Sequence, residues 1–111
     1  MSKQIPKHQQ TRKLLGELTV TLQQQAMWQS TRPAAIKLAS TEPFCCDTLR
    51  FEQWLQFVFI PTMEHLLETQ QPLPQHMSLV PMAEQVWPVH LHCSDLMQVL
   101  RAWDRLYQKA G

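Results

Sequence analysis

Glycine is almost absent from this chain: of 111 residues only Gly16 and Gly111 are glycine, and there is no asparagine. Tight β-hairpins need backbone with positive φ, which Gly, Asn and Asp tolerate best. The three aspartates, Asp47, Asp95 and Asp104, are never followed by glycine, so a protein of many short strands is excluded. Long apolar runs are missing as well. No window approaches the ~18 consecutive apolar residues of a membrane-spanning helix, and no membrane partner is expected. The opening MSKQIPKHQQ carries lysines with no apolar stretch behind them, which does not fit a secretory signal. Cysteine is scarce and odd in number: Cys45, Cys46 and Cys93, two of them adjacent. A secreted disulfide framework generally uses an even count, so reduced thiols and a cytoplasmic location are expected. The net charge is only +1 and 44% of positions are apolar, which excludes a disordered tail. The length fits one domain, 1–111.

What the chain has instead is leucine and glutamine, both good helix formers, with eight prolines set between leucine-rich runs. The class is therefore all-α. Charge is segregated along the chain. Residues 1–41 hold Lys3, Lys7, Arg12, Lys13, Arg32 and Lys37 against Glu17. Residues 42–95 hold Glu42, Asp47, Glu52, Glu64, Glu68, Glu84 and Asp95 against Arg50. Such blocks either face each other in the fold or leave one basic and one acidic surface for partners.

Four principal helices follow from periodicity. The first runs from about Lys7 to Gln29, with Leu14, Leu15, Leu18, Leu22 and Ala26 on one stripe. Gly16 inside it marks either a close approach by another helix or a tolerated defect, at a cost near ~1 kcal/mol against alanine. A connection follows Pro33, with a short helical turn at Ala34–Ala39 and a turn at Ser40-Thr41-Glu42-Pro43 that leads Phe44 into the core. The central helix spans 48–60, N-capped by Asp47 or Thr48. Phe51, Trp54, Leu55 and Val58 keep helical spacing, while Phe57, Phe59 and Ile60 widen the stripe until most of the circumference is apolar, as in a buried helix. Pro61 kinks or interrupts it, or opens a new helix at its first position. Ser78 caps a short helix over Leu79–Trp87, and Ser94 caps the last, which carries Leu96, Val99, Leu100, Trp103, Leu106 and Tyr107. The expected architecture is a compact bundle.

Residues Ser40 to Thr48, followed by Phe51-Glu52-Gln53-Trp54-Leu55-Gln56 and Phe59-Ile60-Pro61, resemble the YqcC-like family, small uncharacterised proteins of gamma-proteobacteria. Asp95-Leu96, Leu100 and Asp104 resemble it too, so the likeness covers nearly the whole chain, most specifically at 40–61. The resemblance implies a cytoplasmic, single-domain helical bundle whose gene often neighbours a tRNA pseudouridine synthase. It implies no activity.

Four kinds of chemistry are open to these residues. Cys45, Cys46, His90, His92 and Cys93 are zinc-type ligands, but adjacent cysteines chelate poorly and the spacing is unlike known zinc signatures; buried thiols and surface histidines are the reading kept, with no metal and no cofactor. Lys3, Lys7, Arg12 and Lys13 could meet phosphates, yet the near-neutral balance and the acidic middle make RNA the second choice of partner. Cys93 with His65 or His76 could form a nucleophile and base, yet no glycine-rich phosphate loop, metalloprotease motif or nucleophile elbow is present, so no enzyme is expected. A protein-interaction surface fits best, because Trp, Phe and Met, enriched at interfaces, number four, four and six. Trp28 and Trp87 are expected at a rim or groove. The predicted surface is Glu42, Phe44, Asp47, Glu52, Gln53, Trp54 and Gln56. The chain reads as a non-enzymatic binding or accessory module, a monomer or weak homodimer, with an unidentified protein partner. The alternative is an accessory factor in tRNA modification that touches RNA through the basic N-terminal helix.

Overall fold

A leucine stripe at positions 15, 18 and 22, extended by Thr11 and Thr21, buries one face of the first helix, α1 (Lys7–Gln24). The computed structural model describes residues 7–42, 44, 48–92 and 94–108; Cys45, Cys46, Asp47 and Cys93, named above, lie outside them. The described residues form helices and turns, without a strand, and four of the helices are substantial. α1 stops five residues short of the expected Gln29. Ala26 turns left-handed (φ 60°), the Met27 N–H bonds the Leu22 carbonyl at 2.9 Å and the Ala26 N–H bonds that of Gln23 at 3.1 Å. This is the six-to-one closure that ordinarily places glycine at its left-handed position. Gly16 is exposed, and a Cβ added there would meet nothing within 4 Å, so it is a tolerated defect.

After α1 comes one short turn, α2 (Ala35–Leu38). The central helix begins as α3 (Phe51–Trp54) with extended Arg50 at its N-cap, later than the expected Asp47 or Thr48. The Thr48 hydroxyl donates instead to the Lys37 carbonyl at 2.6 Å, and the Gln53 side-chain oxygen accepts the Arg50 N–H at 2.8 Å.

Between α3 and α4 (Ile60–Glu68) the helix widens into a π turn over Leu55–Phe59, where the Ile60 N–H reaches the Leu55 carbonyl. Phe51, Leu55, Phe59, Met63 and Leu67 are all buried and recur at a constant spacing of four. An α-helix advances about 40° too far at each such step, so a regular helix would turn Leu67 roughly 160° from Phe51. The wider turn takes up that drift and keeps one face on the core. It also stacks Trp54 on Phe59, five residues on, with centroids 5.3 Å apart. Pro61 follows directly, in the first turn of α4, where it donates no N–H to the preceding turn. Contrary to the all-round burial expected, Trp54, Phe57 and Val58 remain half-buried, because the π turn rotates 57 and 58 away from the core. α4 ends like α1, with left-handed Gln70 (φ 56°) and the Gln71 N–H on the Leu66 carbonyl.

α5 (Val80–Val86) starts one residue later than expected, with Leu79 rather than Ser78 at its N-cap. Its first N–H groups are held from a distance: the buried Asp104 carboxylate accepts those of Leu79 at 2.7 Å and Val80 at 2.9 Å. Burial pushes the Asp104 carboxyl above its ordinary 3.8, against the lowering effect of those two bonds. A 3-10 turn (Val89–Leu91) leads to α6 (Asp95–Gln108), where the Ser94 hydroxyl accepts the Met97 N–H as expected of an N-cap.

α6 packs along α1. At their contact the fully buried Thr11 and Tyr107 hydroxyls share a 2.7 Å hydrogen bond. Rings continue the core from there, Tyr107 on Trp103 (4.9 Å), Trp103 against Phe59 (4.9 Å), then Trp54, Phe51 and Trp87.

Candidate functional site

The segment that the sequence marks out is organised by glutamines. Gln56, buried inside the π turn, accepts the backbone N–H of Gln29 at 2.8 Å and donates to its carbonyl at 2.7 Å. Gln53 donates to the Gln29 side chain at 3.2 Å. Together they anchor the chain leaving α1 to the central helix. Phe44 is held edge-on to Trp54 (4.9 Å) and Phe51 (5.8 Å), and its backbone is left-handed (φ 58°), a strained state for a bulky residue. Glu42 is exposed, and its backbone N–H bonds the Ser40 hydroxyl. Gln53, Gln56, Trp54 and Phe44 thus meet other parts of the chain, and Glu52 lines a groove.

That groove, about 530 Å³, lies between the start of the central helix, α5 and the 3-10 turn. Its floor is apolar: Met27, Leu49, Phe51, Met82, Trp87 and Leu91. Glu52 crosses the rim. One of its oxygens accepts the Trp87 indole N–H at 3.1 Å, and the other pairs with Arg50 Nε at 3.2 Å. Trp87 is therefore buried wall, though Val86 (46% exposed) and Val89 (79%) stand open beside it. Sequence reading missed Arg50, Met82 and Leu91; only Trp87, expected at a rim or groove, hinted at this edge. The arrangement can accept an apolar side chain against the floor and offer Arg50, largely exposed, to an acidic group. The charged groups among the described residues that line the groove are Arg50 and Glu52.

The other candidates disperse. Lys7 is drawn inward, its Nζ 3.3 Å from the Pro74 carbonyl and 4.1 Å from the Tyr107 ring centroid, and the His8 ring bonds the Gln71 carbonyl. Arg12 and Lys13 remain exposed. Lys13 borders a 580 Å³ groove between α1 and α6. His92 bonds the Trp87 carbonyl at 3.0 Å, while His90 and His76 are exposed. Among the described residues no three His, Cys, Asp or Glu side chains converge, and no helix is long and apolar enough to cross a membrane. Trp28 is 37% exposed at the end of the glutamine anchor.

Other proteins resemble this chain in fold and in sequence. The solution NMR structure of protein YqcC from Escherichia coli superposes with a TM-score of 0.82 at 30% identity, over 96% of this chain and 92% of that one. An uncharacterised protein of Haemophilus influenzae is 39% identical over 97 residues, 87% of this chain and 92% of its own length. The uncharacterised protein YqcC of E. coli is 36% identical over 77 residues, 69% of this chain and 71% of its own length. The class is thus an all-helical fold shared with these proteins. A family model described as tRNA pseudouridine synthase C matches residues 10–106, and the chain belongs to this YqcC-like family. A tRNA pseudouridine synthase C of Pectobacterium carotovorum is 39% identical over 66 residues, 60% of this chain but 18% of that much longer protein.

Proposed function

We propose that this chain is a non-enzymatic, cytoplasmic accessory module that binds another protein, and that its partner is a tRNA pseudouridine synthase. The observation that carries the binding role is the groove of Met27, Phe51, Met82 and Leu91, rimmed by the Arg50–Glu52 pair and flanked by open Val86 and Val89. Apolar ground of this kind with a charged rim is the usual make-up of an interaction site. The partner class is supported by the similar segment in a protein named tRNA pseudouridine synthase C. A second reading, RNA contact through α1, has Arg12 and Lys13 as its exposed contacts, since Lys7 and His8 are engaged elsewhere.

Titration calorimetry with a purified tRNA pseudouridine synthase C tests the first reading. A complex is expected, weakened at least about tenfold by Val89→Asp or Arg50→Glu, as for loss of an interface anchor. The unfolding midpoints of these surface variants should match the parent. No complex, or one indifferent to both substitutions, defeats the reading. Weakening of tRNA binding by the pair Arg12→Gln and Lys13→Gln would favour the second.

A further inference from the structure

A second groove, about 440 Å³, opens where the outward face of the π turn meets the connection after α1. Val58, Pro61, Thr62 and His65 line it and stand at i, i+3, i+4 and i+7, one face of the helix. The same rotation that keeps Phe59 and Met63 on the core leaves Phe57 and Val58 half-exposed here. Arg32 closes the other side, its guanidinium 5.9 Å from the Phe57 ring centroid. Charge in the groove has one sign. None of the described residues lining it is acidic; Glu64 and Glu68 of the same helix line the groove facing α1 instead. Residues 18–41, which supply Arg32 and the exposed Lys37, contain no acid at all.

An aromatic face, an arginine, an imidazole and a hydroxyl around a volume of ligand-pocket size (~300–1,000 Å³) are the groups that recognise a nucleotide. Bases stack on phenylalanine and arginine planes, and phosphate pairs with guanidinium. We propose that this groove binds a nucleotide of a single-stranded nucleic acid, with the base against Phe57 and the phosphate on Arg32. Thr62 and His65 are placed to hydrogen-bond the sugar or the base edge. The site is separate from the Arg50–Glu52 groove and does not depend on a synthase as partner.

The test is fluorescence anisotropy of the isolated chain with end-labelled oligouridine RNA and oligothymidine DNA of about ten nucleotides. Salt is varied between about 50 and about 200 mM. Binding that weakens with salt is expected. Arg32→Gln should lower the salt slope by about 1. Phe57→Leu should weaken binding about five- to hundredfold with the slope unchanged, and Arg105→Gln, exposed on α6, should change neither. Tighter RNA than DNA binding assigns Thr62 and His65 to the 2′-hydroxyl, and equal binding assigns them to the base edge. Should Phe57→Leu unfold the chain, the exposed Arg32→Gln carries the test. The proposal is overturned if neither strand binds, or if Arg12→Gln abolishes binding and Arg32→Gln does not. A synthase captured by a chain that binds no oligonucleotide would also sink it, and would leave the accessory role standing.

Discussion

Glycine stands in this fold where it does harm and is missing where it would help, which makes a sharp stability experiment. Gly16 lies exposed in the interior of α1, with open space around an added Cβ, so Gly16→Ala should stabilise by about 0.5–1 kcal/mol. Ala26 and Gln70 hold left-handed backbone at the ends of α1 and α4, at a cost of roughly 1–2 kcal/mol for a residue with a side chain. Glycine relieves that strain but gives back about 0.4–1 kcal/mol as extra freedom of the unfolded chain. The net gain is then about 0.5–1 kcal/mol at each position. The three sites use different backbone bonds, so their effects should add, to about 2 kcal/mol for the triple variant. For a chain of this length roughly 4 °C accompanies each kcal/mol, so Tm should rise by about 8 °C. Thermal unfolding followed by circular dichroism, with urea midpoints beside it, reads this out. Gln23→Gly, in the last turn of α1, is the control and should destabilise by about 1 kcal/mol. A drop in Tm for Ala26→Gly would refute the assigned end of α1, and one for Gln70→Gly that of α4.

Gln56→Glu should destabilise by about 2 kcal/mol, because a carboxylate keeps the Gln29 N–H but faces its carbonyl with no donor; a urea midpoint equal to the parent's would deny the anchor. The buried Asp104 carboxyl titrates above 3.8, so folding favours its neutral form. Its contribution is full below 3.8 and is lost as pH rises through the folded value. The stability of the parent relative to Asp104→Asn should fall across that window, and a rise would contradict the sign. Burial likewise holds the Tyr107 phenol above 10.0, against the bond from Thr11. Stability from this group is full below 10.0 and is lost as pH climbs through the folded value. Tyr107→Phe should abolish that alkaline loss while costing about 1 kcal/mol at neutral pH through the orphaned Thr11 hydroxyl, and an alkaline limb left unchanged would argue against it.

Features written in nearest neighbours were legible from the chain alone. Ser94 caps α6 because its hydroxyl needs only the amide three residues on, and the 3.6-residue period of Leu96, Leu100, Trp103 and Tyr107 has no competitor. The end of α1 was not legible, because nothing in Ala26 announces a left-handed turn. The π turn did leave a trace, the unbroken spacing of four from Phe51 to Leu67, but helix periodicity reads such a row as acceptable for two or three steps. Contacts across the fold left none. Asp104 caps a helix 24 residues away, and Gln56 grips a backbone 27 residues before it. For the same reason Glu52 could be named from its surroundings, whereas the far wall of its groove, Met82 and Leu91, comes from elements that only the assembled bundle brings near.

The contact between Lys7 and the Tyr107 ring has a topological meaning. It places the first turn of α1 and the last turn of α6 side by side at one corner, so the path through the bundle closes on itself. A short bridge between those two helices should permit the backbone to be opened between exposed Gln75 and His76, past the Gln71 and Pro74 carbonyls that His8 and Lys7 hold. A larger host chain could likewise depart and return at a single point without prying the helices apart.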